Sequence, residues 1–141
     1  MRQNDYETRG SFRAETTQIL RFGDTDQQGH INNAVYATFF ESGRVEVLYN
    51  KKYGLPPRDT AFVLAQININ FIAEIRFPGE VIIATRVSAI GNASMKFEQS
   101  IFVDEIAHAT AQSTVVMVDM KTRRSMTIPD DVRAHFETLR A

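Results

Sequence analysis

The sequence predicts an α+β fold in which a curved antiparallel sheet wraps around one long helix. Two changes of hydrophobic period carry that expectation. Residues 33–54, "NAVYATFFESGRVEVLYNKKYG", hold apolar side chains at helical spacing, whereas residues 61–77 are apolar at every odd position, the period of a strand. Turn residues then punctuate the rest of the chain into further strands, and a single helix cannot cover both faces of such a sheet. Wrapping the sheet around the helix is the simplest solution.

The elements follow in order. "ETTQILRF", residues 15–22, reads as a first strand, and a polar loop follows it. In the helix, Tyr36, Phe39, Phe40, Gly43, Val47 and Leu48 share one side. Asn32 or Asn33 suits its N-cap, and Gly54 its stop before Pro56 and Pro57. The long strand runs from Ala61 to Phe77, with a bend or bulge expected near Ala73 because strands of that length are uncommon. Its even positions, including Gln66, Asn68, Asn70, Glu74 and Arg76, form a face that is wet or lies at a polar interface. Pro78–Gly79, Gly91–Asn92 and Asp104–Glu105 are turns separating strands at 80–90, 94–103 and 107–120. Pro129 and the acidic residues after it open a closing helix. The expected order is strand, long helix and four consecutive antiparallel strands, in one domain spanning residues 1–141. An edge as long as the 61–77 strand needs a partner, and pairing two copies into one continuous sheet would supply it.

Bulk composition excludes several functions. With 43% hydrophobic and 23% charged residues and a net charge of −1, the chain carries no overall basic field for nucleic acid or anionic membrane. It has no cysteine, which removes disulfides, thiolate metal sites and a thiol nucleophile. No apolar run approaches the roughly 20 residues of a membrane span, and the polar start, "MRQNDYETRG", is unlike a signal peptide. A cytoplasmic location is expected. There is no glycine-rich phosphate loop and no nucleophile elbow. His30, His108 and His135 are not at ligand spacing, so no metal site is expected. Lys121, Arg123 and Arg124 form a small basic cluster, either a solvated turn or a phosphate contact.

The polar loop, "DTDQQGHINNAVY" at residues 24–36, concentrates the chemistry. Asp24 reads as a turn former bonded to nearby backbone. Asp26 precedes a helix N-terminus, where a carboxylate can act on a ligand while helix amides bind a developing oxyanion. Gly29 suggests a special backbone angle. His30 by itself would be a structural hydrogen bonder, and one of Asn32 and Asn33 caps the helix. Tyr36 is half core and half pocket wall. Glu41, between Phe40 and Gly43, is a candidate because it falls near the apolar side, where a half-buried carboxylate is functionally suggestive.

The stretch "FGDTDQQGHINNAVYATFFESGRVEVL" resembles the signature of hotdog-fold acyl-CoA thioesterases, the 4-hydroxybenzoyl-CoA thioesterase family. The resemblance continues through "FIAEIRFPGEVIIATRVSAIGNASMKFEQSIF" to "VVMVDMKTRRSMTIPDDVRAHF". It implies a hotdog fold, a five- or six-stranded antiparallel sheet around a long helix, assembled as a homodimer or homotetramer. It implies hydrolysis of a fatty or aromatic acyl thioester, carried by coenzyme A or by a carrier protein, with Asp26 as nucleophile or base for water. His30, Asn32 and Asn33 would orient the carbonyl or water, Glu41 would fall on a glutamate of related enzymes, and Gly29 and Tyr36 would border the substrate. Asn92 and Ser94 would fall on a turn that touches the nucleotide of coenzyme A in some members. No cofactor is implied beyond coenzyme A as part of the substrate. Two other functions fit the fold: a non-catalytic acyl-thioester binding protein, and a hydratase or dehydratase.

Overall fold

The computed structural model describes residues 6 and 8–141. A curled antiparallel sheet holds helix α1 (Asn33–Leu48) in its concave face. The strands are β1 (Ala14–Ile19), β2 (Thr60–Phe71), β3 (Glu80–Ile90), β4 (Ser94–Val103), β5 (Ile106–Asp119) and the short β6 (Arg124–Ser125). Their spatial order is β1-β3-β4-β5-β2, with β6 also paired to β5. Helix α2 (Asp130–Glu137) closes the chain.

The core forms because the faces read from the sequence do turn inward. Tyr36, Phe39, Phe40, Gly43, Val47 and Leu48 are buried, joined by Arg44. The amino-terminal half of α1 packs with Leu20, Ile75, Val81, Ile83 and Ile101, and its carboxy-terminal half with Phe62, Phe97, Met117 and Phe136. Fully burying each such side chain is worth about 1.5–3 kcal/mol. On the opposite face of the sheet, Tyr6 and Phe12 pack over Ala84 and Phe102, and a buried Arg86–Glu98 pair at 2.9 Å lies beside them.

Several boundaries differ from expectation. The first strand stops at Ile19, and Phe22–Asp24 is a 3₁₀ turn. Helix α1 ends at Leu48, and Gly54, in the left-handed region at φ 66°, instead closes a separate 3₁₀ turn, Lys51–Tyr53. Pro129 is the cap of α2 and not its first residue.

The largest correction concerns the long strand. It ends at Phe71, six residues short of Phe77, and its two faces are not segregated as the alternation implied. The register slips between Leu64 and Gln66, so buried Phe62 lies before the bulge and half-buried Ile67 and Ile69 after it. Val63 is 47% exposed. A bulge inserts one residue and exchanges the faces, and an edge strand leaves both partly open.

Nor are β2 and β3 neighbours: they flank opposite sides of the sheet, separated by β4 and β5. Residues 72–79 therefore cross one end of the curled sheet. That crossing brings the segment against the loop before α1, where the Ile31 amide donates to the Ile75 carbonyl at 2.8 Å and His30 bridges to Arg76.

Candidate active site

The loop from Arg21 to Asn32 is fixed by hydrogen bonds that the sequence order makes natural. Asp24 is 2% exposed. Its carboxylate accepts from the Arg21 amide at 2.9 Å and from Arg21 Nη2 at 2.8 Å, and its carbonyl accepts from the Asn32 amide at 2.8 Å. The Arg21 side chain holds the Asp24 carboxyl below the usual carboxylate range, and burial opposes this only in part. Asp24 is thus a structural clamp.

Asp26 is exposed and faces the other way. Its Oδ1 accepts from the amides of Gln28 at 2.8 Å and His30 at 3.1 Å. The Asp26 amide donates to the His30 carbonyl at 2.8 Å. Gly29 completes the turn at φ 80°, a conformation that disfavours any side chain. These contacts use one carboxylate oxygen and leave Oδ2 directed by the same turn, without a hydrogen-bond partner among the described residues.

Asn32 is the N-cap: its Oδ1 accepts from the Ala34 amide at 2.9 Å. Asn33 opens the helix and is exposed. The first amides of a helix have no partner inside it. Ala34 and Val35 donate back to Asn32, and the Asn33 amide, the first of the helix, has no hydrogen-bond partner among the described residues.

These residues border a cleft of about 340 Å³ lined by Asp26, His30, Asn33, Tyr36, Phe71 and Glu74. Tyr36 is buried, its ring set edge-on to Phe71 at 5.0 Å between centroids. Burial raises its phenol pKa; a backbone hydrogen bond with Ile75 opposes this and the charge of Glu74 adds to it. His30 Nε2 lies 3.2 Å from Glu74 Oε2, and Arg76 Nη2 is 3.6 Å from the same oxygen. The cleft therefore combines a carboxylate oriented by amides, an imidazole paired to a second carboxylate, helix-terminal amides and an aromatic wall. That set can activate water or attack an electrophilic carbonyl while stabilising the oxyanion. Among the described residues, no three His, Asp or Glu side chains converge as metal ligands.

Of the residues singled out from sequence, Asp26, His30, Asn33 and Tyr36 line this cleft, while Gly29 and Asn32 belong to the turn and the helix cap beside it. Three lie elsewhere. Glu41 is exposed, contrary to the half-buried position expected. It borders a separate slot of about 160 Å³ with Arg44, Leu48, Tyr49, Phe62 and Leu64. The reason is angular: Glu41 follows Phe40 on α1 and so turns past the buried stripe.

Asn92 and Ser94 sit at the β3–β4 turn. The Asn92 carbonyl is engaged there by the Ile128 amide at 2.9 Å. Strand β3 begins at the cleft end of the sheet and runs 11 residues to that turn, roughly 35 Å at strand rise. Within one chain the turn is remote from Asp26. Glu74, conversely, reaches the site but was read from sequence only as part of a polar strand face. The bend expected near Ala73 was the available sign that the chain leaves the sheet there.

Residues 20–136 match the model of the thioesterase-like superfamily. The chain is 27% identical to the acyl-CoA thioesterase YbgC of Haemophilus influenzae over 123 residues, covering 84% of this chain and 90% of that protein. It is 31% identical to the chloroplastic acyl-acyl carrier protein thioesterase ATL2 of Arabidopsis thaliana over 124 residues, 83% of this chain and 64% of that protein. Among solved structures, the probable thioesterase YbaW of Escherichia coli superposes with a TM-score of 0.78 at 25% identity, covering 92% of this chain and all of that one.

Proposed function

From the premise that the chain belongs to the thioesterase-like superfamily and has the hotdog fold of acyl-CoA thioesterases, we propose that Asp26 carries the hydrolysis of a fatty or aromatic acyl thioester. The protein is a thioester hydrolase. The observation that carries the residue assignment is the amide-held Asp26 carboxylate at the start of α1, in one cleft with His30, Asn33 and Tyr36.

The thioester carbonyl would lie at the amino terminus of α1, where the Asn33 amide and the positive end of the helix polarise it. Asp26 Oδ2 would either attack the carbonyl carbon or take the proton of an attacking water. The thioester is already activated, so the proposal requires no cofactor; coenzyme A enters as part of the substrate. YbgC is named for acyl-CoA and ATL2 for an acyl carrier protein, so both carriers belong in the assay. We further propose a cytoplasmic homodimer joined along β2, or a tetramer of such dimers. The exposed edge of β2 supports this. Among the described residues, no helix is long and apolar enough to cross a membrane.

The test is release of free thiol from acyl-CoA esters of graded chain length, an aromatic acyl-CoA and an acyl-carrier thioester. The parent hydrolyses at least one. Asp26→Asn keeps the shape and loses the basicity, so kcat falls by about 10²–10⁴-fold with little change in KM. A parent inactive on every thioester leaves a binding protein. Activity of the variant within a few-fold of the parent places the catalytic carboxylate elsewhere.

A further inference from the structure

The crossing segment 72–79 adds a residue to the site. We infer that Glu74 is a positioning residue that holds the Nε2 proton of His30, so that the neutral ring presents Nδ1 to the ligand as a hydrogen-bond acceptor. The inference rests on the proposed hydrolase reading and gives His30 one role within it.

The geometry is a chain of three groups. His30 Nε2 is 3.2 Å from Glu74 Oε2, and Arg76 Nη2 is 3.6 Å from the same oxygen, both charge contacts without the alignment of a hydrogen bond. The backbone fixes the arrangement: His30 and Arg76 form a bridge, and the Ile31 amide donates to Ile75. The imidazole and the carboxylate thus sit on two strand-like segments held in register. His30 is largely buried, its side chain 18% exposed, while Glu74 is 61% exposed. The ring is confined and its partner is the group nearer solvent. The other ionisable groups around the ring are Asp26 on its own loop and Tyr36 on α1, both on the cleft.

A carboxylate oxygen repels a nitrogen lone pair and attracts an N–H, so the ring nitrogen closest to it is the one that carries the proton. In the neutral ring the other nitrogen is then a lone pair. An acceptor at Nδ1 suits the O–H of a water held for attack and does not suit a carbonyl oxygen, which needs a donor. The carbonyl is left to the amides at the start of α1. His30 therefore orients water, and Glu74 sets which nitrogen does it, as second partners of functional histidines commonly do.

Two variants and two measurements test this. Glu74→Ala removes the acceptor, and Glu74→Gln keeps an acceptor oxygen without the charge. Glu74 is exposed, so both should fold, and thermal unfolding checks that. Nitrogen-15 NMR of labelled histidine, recorded near pH ~9 where imidazole is neutral, reads the tautomer without any substrate. The parent should show His30 protonated at Nε2. Glu74→Ala should give a mixture of tautomers, and Glu74→Gln should keep the parent pattern. On the best thioester, Glu74→Ala should lower kcat about 10-fold, the lower end of what losing the second partner of a functional histidine costs. Its KM should stay within twofold, and Glu74→Gln should recover most of the rate. An Nδ1-protonated His30 in the parent, an unchanged tautomer in Glu74→Ala, or a loss confined to KM overturns the assignment. Because the tautomer is read without substrate, a protein inactive on every thioester would defeat the hydrolase reading while the Glu74–His30 relation is still decided.

Discussion

Two carboxylates two positions apart, Asp24 and Asp26, are put to opposite uses by the hydrogen bonds around them. Asp24 is buried against Arg21 and the Asn32 amide, whereas Asp26 is exposed on the cleft. Because the folded pKa of Asp24 lies below its ordinary value, its contribution to stability is present above the unfolded carboxylate range and is lost as pH falls through the folded value. Asp24→Asn should therefore lower the thermal midpoint at pH 7, and the gap from the parent should close on acidification below about pH 4. It should cost far less in kcat than Asp26→Asn. A stability gap that is constant with pH would remove the ion pair from the explanation. Glu41→Gln belongs to the same scale. Glu41 is exposed on a slot separate from the cleft, so thiol release should stay within a few-fold of the parent. A loss rivalling that of Asp26→Asn would make Glu41 the active carboxylate.

Helix α1 sits on the sheet through its smallest residue. A Cβ built at Gly43 would lie 2.5 Å from Ile83 Cγ2 and 2.7 Å from Gln99 Nε2. Neither neighbour can withdraw cheaply. Ile83 is fully buried, and the Gln99 amide donates at 3.0 Å to both the Phe40 carbonyl and Thr85 Oγ1. Gly43→Ala should destabilise by about 1–3 kcal/mol, the usual cost of overpacking a dense core, despite the better helix propensity of alanine. Chemical denaturation measures it, and a stabilised variant would show that the helix is free to lift. Since the cleft lies between the start of α1 and the crossing segment, lifting the helix would also disturb the site.

At the scale of the molecule, the open edge of β2 remains. Twelve residues long, it carries exposed Val63, Leu64 and Phe71, flanked by Val45 and Tyr49 of α1. A bare apolar edge is a template for another strand, and pairing two copies along it would cover both the edge and the helix flank. Light scattering at micromolar concentration should therefore give a mass at least twice 16.0 kDa. Leu64→Lys, at a side chain 43% exposed in one chain, should shift it toward 16.0 kDa without unfolding. A parent that stays at the monomer mass would refute the assembly.

What the sequence determined by itself was local. Helical spacing placed Tyr36, Phe39, Phe40, Gly43, Val47 and Leu48 on the buried side of α1. The loop chemistry put Asp26, Gly29, His30 and the two asparagines around a helix start, because capping and turn formation act over three or four residues. Tertiary structure decided whatever depended on which strands meet. Alternation along residues 61–77 could not reveal the slip between Leu64 and Gln66, since a bulge is chosen by pairing with β5. Nor could it reveal that the chain leaves the sheet at Phe71 to cross from the β2 edge to β3, beyond β5 and β4. Glu74 reaches His30 only through that crossing, and Glu41 misses the cleft only through the angle at which α1 lies on the sheet. Neither fact exists until distant segments pack, because burial and contact are properties of the assembled core and not of any stretch within it.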